Sequence, residues 1–318
     1  MVVAVAELPR PASPSPHELD SKTTLLARRL NSGRKLSRSG LWDQAILEFN
    51  EALRLDPTSI TALVEKGNAL AELKEWTQAL SNYDAALALA PNLAEAWFDK
   101  GLVLAHLNQL TSSLEAFDKT IELDPTIDDA FYSKSVVLTG LGRTVEALSA
   151  LNEALRLNPR HPTALLNRSV LLRKLGREDA AFSDLQLAAS IAPKHPLILG
   201  NLANMLAERG QFTDALLLHK KAAALAPNEV NVLFNMAKTL YLMGRSEEAY
   251  NAIMSAISLE PSDAAFSELR RLIIENQLKN LVETGFALWS GKRPLGSKNP
   301  VKISPGPPVS DYVIQDRG

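Results

Sequence analysis

Prolines stand at Pro57, Pro91, Pro125, Pro159, Pro193, Pro227 and Pro261, and every interval between neighbours is 34 residues. A period of this size, held seven times without insertion, restricts the chain to an array. Each unit is one supersecondary element that buries its apolar face by stacking on the next. With the proline as position 32, the units are 26–59, 60–93, 94–127, 128–161, 162–195, 196–229 and 230–263.

The columns of this alignment define the unit. Position 11 is leucine throughout: Leu36, Leu70, Leu104, Leu138, Leu172, Leu206 and Leu240. Position 8 is always small, from Gly33, Gly67 and Gly101 through Ser135 and Ser169 to Ala203 and Ala237, and positions 20 and 27 are almost all alanine. Apolar residues recur at 4, 8 and 11 and again at 20, 24, 27, 28 and 30, which predicts two amphipathic helices with small residues where their axes come close. Between the helices, position 15 is Gly40, Gly142, Gly176, Gly210 and Gly244, with Lys74 and Asn108 as exceptions. A residue just past a helix end commonly takes the left-handed conformation, where a Cβ is costly. The repeating proline ends the second helix, since it has no N–H to donate and clashes with the preceding turn.

This pattern resembles the tetratricopeptide repeat, a 34-residue helix-turn-helix. The residues that carry the likeness include Leu63, Gly67, Leu70, Ala79, Tyr83, Ala86 and Pro91 in the second unit and Trp97, Gly101, Leu104, Phe117 and Pro125 in the third. The resemblance implies an all-α, right-handed superhelical solenoid of seven repeats. Arg29 replaces the large apolar residue found at position 4 elsewhere, which marks the N-terminal end of the stack. Residues 264–285 supply the helix expected to cover the last repeat, with Phe266, Leu269, Leu272, Ile273, Leu278, Leu281 and Val282 as its stripe. Residues 1–25, with four prolines, read as disordered, and 286–318 as a Pro/Gly-rich tail.

Chemistry is scarce in this sequence. With 34 Lys plus Arg against 36 Asp plus Glu, the net charge of −2 lacks the basic excess of a nucleic-acid or membrane-surface protein. There is no cysteine, so thiolate metal sites, disulfides and cysteine nucleophiles are excluded, and a reducing, cytoplasmic setting is expected. The five histidines form no metal-ligand pair on one helix face, and Gly140-Leu141-Gly142 falls at a helix turn with no preceding strand. No cofactor, metal or catalytic residue is expected, and binding is what remains.

In the family, the first helix of each unit lines the inner wall where a partner peptide lies. Position 6 of that helix is Asn167, Asn201 and Asn235 in three consecutive units, and each amide offers a donor and an acceptor to a peptide backbone. The arrangement resembles the asparagine ladder of the O-linked N-acetylglucosamine transferase repeat region. Units two to four place Glu65, Asp99, Phe98 and Tyr132 on the wall, an acidic and aromatic strip suited to a basic segment. The lysine and asparagine clamp of the chaperone-binding variety is not present in any three consecutive units.

The chain therefore reads as a non-enzymatic scaffold for a protein or peptide segment, with no nucleic acid and no membrane expected. Two alternatives accompany this reading. One is an RNA-binding solenoid, which the acidic strip argues against. The other rests on the tail, which faintly resembles the C-terminal ends of small bacterial antitoxins and whose Trp289, Tyr312 and Ile314 would anchor a second, toxin-like enzyme partner.

Overall fold

The computed structural model describes residues 16–283, and these form fifteen α-helices and no strand. They divide into two compact units, one running up to Pro159 and the other from Arg160. The first holds α1 (Pro16–Arg38), α2 (Trp42–Leu55), α3 (Ile60–Glu72), α4 (Trp76–Leu89), α5 (Ala94–His106), α6 (Leu110–Leu123), α7 (Asp128–Gly140) and α8 (Thr144–Leu157). The second holds α9 (Pro162–Lys174), α10 (Glu178–Ile191), α11 (Pro196–Glu208), α12 (Phe212–Leu225), α13 (Val230–Leu242), α14 (Ser246–Leu259) and α15 (Ala264–Glu283).

Each odd-numbered helix up to α13 turns back through a residue of positive φ. The five glycines at position 15 have φ between 72° and 76°, and Lys74 and Asn108 adopt the same conformation at 62° and 58°. The reversal lets the N–H of the following residue reach back to the carbonyl of the invariant leucine, as in Glu75 to Leu70 and Gln109 to Leu104, both at 2.9 Å. All seven turns make this bond at 2.9 to 3.0 Å, so the left-handed residue caps otherwise orphaned carbonyls of the helix end. At the other end of each unit the residue before proline is driven out of the helical region; Asp56, for example, has φ −138° and ψ 96°.

Inside each hairpin the small positions are sealed. Every residue at positions 20 and 27 is fully buried, including Ser113 and Thr120, whose hydroxyls donate to the carbonyls of Gly101 and Ala116 at 2.7 and 3.0 Å. The ring at position 24 lies on the glycine at position 8 in the first three repeats. A Cβ on Gly33, Gly67 or Gly101 would stand 2.4 to 2.6 Å from the ring of Phe49, Tyr83 or Phe117. Where position 8 carries serine or alanine, position 24 is Leu151, Leu185, His219 or Ile253. The two columns exchange volume within one hairpin.

Two sequence expectations need correction. Helix α1 begins at Pro16, within the segment 1–25 read as disordered; proline is tolerated in a first turn, and the stretch that follows is rich in good helix formers. Residues 21–25 of this extension are exposed. On α15, the buried stripe is Phe266, Leu269, Ile273, Ile274 and Gln277, while Leu272, Leu278 and Leu281 are half-buried. That stripe packs on α13 and α14, with the Phe266 ring 5.0 Å from that of Phe234. His161 and His195 also acquire a role: each accepts a backbone N–H of its own helix at Nδ1, from Ala164 at 3.2 Å and Ile198 at 3.4 Å, so both are helix N-caps.

Candidate functional site

In the first compact unit the odd-numbered helices carry the acidic strip, and the structure separates its members. Glu65 on α3 is held by Arg34 of α1 at 2.6 Å, so its charge is already matched. Phe98 on α5 is half-buried, its ring 5.9 Å from that of Phe117 on α6. Tyr132 on α7 is also half-buried. The strip is therefore partly core, because a residue at position 5 leans onto its own hairpin before it reaches solvent.

Asp99 behaves differently. It stands on α5 across from Asn68 of α3, with Tyr83 of α4 beneath. The Tyr83 hydroxyl and the Asn68 side-chain amide are 2.6 Å apart. With its NH2 turned inward, the amide also donates to Asp99 Oδ2 at 3.1 Å and to the Val64 carbonyl at 3.3 Å, the orientation that satisfies the acceptors around it. Burial, and then the charge of Glu95, push the Asp99 carboxyl up to about 6. Burial, followed by the charges of Asp99 and Glu72, holds the Tyr83 hydroxyl well above the ordinary phenol range.

Above this group the walls rise to the ends of α3 and α5. Trp76 and His106 stack flat there, ring centroids 4.3 Å apart and planes within 6°. The whole forms a pocket of about 480 Å³. Sequence reasoning missed Asn68, Trp76 and Tyr83. One signal was available: Tyr83 is the single tyrosine in a core column otherwise filled by phenylalanine, leucine, isoleucine and histidine, and a buried hydroxyl needs a partner.

In the second compact unit, Asn167, Asn201 and Asn235 occupy the same position on α9, α11 and α13, and all three are half-buried. Asn201 donates one amide hydrogen back to the Leu197 carbonyl at 2.8 Å. Its second hydrogen and its carbonyl oxygen are not used by that bond. Nearby, Arg173 of α9 reaches both carboxylate oxygens of Glu208 on α11, at 2.7 and 2.8 Å, so this wall cation is matched inside the unit. The tail anchors Trp289, Tyr312 and Ile314 lie outside the described residues.

Paired antiparallel helices of fixed length, joined by one left-handed residue and closed by one proline, define a helical-hairpin repeat protein. The chain belongs to the tetratricopeptide repeat family: tetratricopeptide repeat models match residues 30–93 and 137–196, 67–132, and 206–273. Among solved structures, a tetratricopeptide repeat protein from Parabacteroides merdae is 16% identical at a TM-score of 0.57, covering 79% of this chain and 99% of that one. The APC/C hetero-tetramer Cut9-Hcn1 is 15% identical at 0.64, covering 81% of this chain and 52% of that one. YrrB, described as a TPR protein with an unusual peptide-binding site, is 21% identical at 0.51, covering 59% and 97%. At these identities the likeness is one of fold. No curated protein matches the chain. No helix among the described residues is long and apolar enough to cross a membrane.

Proposed function

We propose that the protein is a non-enzymatic scaffold that holds an extended segment of a partner protein along its odd-numbered helices. The observation that carries this reading is the repetition of one amide, Asn167, Asn201 and Asn235, at one position of three successive odd-numbered helices. Extended peptides present a donor and an acceptor at each residue, and carboxamides meet both without selecting a side chain. Family membership supports the reading, and YrrB, of similar fold, is described as having a peptide-binding site. The acidic residues of α3 and α5 favour a segment with basic side chains.

Selection of a random displayed peptide library on the whole chain tests this. Enriched peptides should lose binding by one to three powers of ten, on the order of three peptide hydrogen bonds, when Asn167, Asn201 and Asn235 are all changed to alanine. The melting temperature should barely move. A library that yields no peptide, or peptides indifferent to the triple change, would reject the reading.

A further inference from the structure

Several acids packed between the helices of this chain are met by cations. Glu48 is met by Arg29 at 3.0 Å, Glu65 by Arg34 at 2.6 Å, and Asp184 by both ends of the Arg168 guanidinium at 2.7 Å. Asp99 has no such partner: it is half-buried in the wall of a pocket, burial raises its affinity for protons, and no lysine or arginine among the described residues pairs with it. Its one polar support is the Asn68 amide, a neutral donor. A carboxylate withdrawn from water without a counter-charge is costly, and its placement at the bottom of an open pocket leaves room for that charge to come from outside.

The pocket grades from floor to rim in a way that matches one kind of side chain. Tyr83 and Val103 at the bottom are buried, with Asn68 and Asp99 beside them. Half-buried Ala71 and Leu102 form apolar walls, and Glu72, Lys74 and His106 are exposed around the mouth. An apolar shaft with an acid at its end fits a methylene stem that carries a terminal positive charge. The flat His106 and Trp76 pair at the rim adds a surface on which a planar cation stacks.

We propose that the pocket formed by α3, α4 and α5 receives one long cationic side chain, arginine or lysine, from the segment the scaffold holds, with Asp99 at its end and Glu72 at its mouth. The proposal rests on the scaffold reading and adds a residue-level preference to it. It places this preference in the first compact unit, apart from the asparagines of the second. The titratable groups around Asp99 are Glu72 of α3, Lys74 of the turn, Tyr83 of α4, and Glu95 and His106 of α5. Protonation of Asp99 removes the charge that the cation meets, so binding weakens on acidification.

The test uses the whole chain, isotopically labelled, and the peptide acetyl-Ala-Ala-Arg-Ala-Ala-amide, with lysine and with neutral citrulline in place of arginine. The arginine peptide should shift the Trp76 indole N–H and the Asn68 side-chain amide saturably, the lysine peptide should shift the same signals, and citrulline should shift neither. With a carboxyl midpoint of about 6, affinity at about pH 5 should be about tenfold below that at about pH 7.5. Asp99→Asn, which keeps the shape, should lower affinity about tenfold or more at neutral pH and flatten most of the pH slope. Glu72→Gln, on the exposed rim, should weaken binding several-fold.

Equal shifts with citrulline, no saturable shift with arginine, or unchanged affinity in Asp99→Asn would each overturn the proposal. If these failures occur while library peptides still depend on the three asparagines, the pocket assignment alone is wrong. If the library also yields nothing, the scaffold reading falls with it.

Discussion

The ring of Phe117 occupies the space that a side chain on Gly101 would need: a Cβ built there meets the ring at 2.6 Å. The contact joins α5 to α6 within one hairpin, and Gly33 with Phe49 and Gly67 with Tyr83 repeat it. Gly101→Leu should therefore cost about 3 kcal/mol or more, the upper end for an overpacked core. A sharper measurement pairs Gly101→Ala with Phe117→Leu, the kind of combination that later repeats use. Denaturant titration should give a coupling of about 1 kcal/mol or more in favour of the pair. Additive effects would mean that the two positions do not share volume.

His219 fills the same ring position in the sixth repeat but finds nothing to bond. It is fully buried, and neither ring nitrogen has a hydrogen-bond partner. Burial lowers its affinity for protons to a midpoint of about 4, below the 6.5 of a free imidazole. A histidine that is harder to charge when folded leaves stability intact above about pH 6.5, and stability is lost as pH falls through about 4. His219→Leu should raise stability at neutral pH by about 1 kcal/mol or more, since it removes an unsatisfied buried polar group. The gain should grow between about pH 6 and pH 4 in calorimetric melts.

Lys74 holds the left-handed conformation that five other repeats assign to glycine. A side chain there costs about 1–2 kcal/mol in the folded state, partly offset because glycine frees the unfolded chain. Lys74→Gly is expected to stabilise by about 0.5–1 kcal/mol in chemical denaturation. Gly142→Lys, the converse change in the fourth repeat, should destabilise by a similar amount.

Asp99 has a stability signature independent of any ligand. Its folded midpoint of about 6 lies above the ordinary carboxylate value of 3.8, so the folded chain holds this proton more tightly than the unfolded one. For a raised carboxyl the sign is the reverse of the usual ion-paired acid: stability is lost as pH rises from about 4 to about 6. Asp99→Asn removes that loss. The variant should be more stable than the parent by about 1–2 kcal/mol at neutral pH, discounted for partial exposure, and no more stable near pH 3. A constant difference across the pH range would place the effect elsewhere.

The periodic part of this protein was legible because a 34-residue repeat samples each local environment seven times. Leucine at every position 11 and glycine at most of position 15 by themselves specify a helix end and a left-handed turn. Both are backbone requirements, set within a few residues and therefore visible in a few residues. The proline at position 32 works the same way. Tertiary structure decided what depends on neighbours from other helices. Glu65 and Asp99 occupy one column and read alike as acids on a wall, yet the first is neutralised by Arg34 on α1 and the second is left facing the neutral Asn68 amide. Their distinction lies in which side chain crosses from the adjacent hairpin and how much water it displaces, and no column of a single repeat records that. The charge on Asp99 is set by its depth and by Glu95, and the Asn68 amide that reaches it is itself held by a tyrosine hydroxyl on the next helix, a combination that exists only once α3, α4 and α5 are packed.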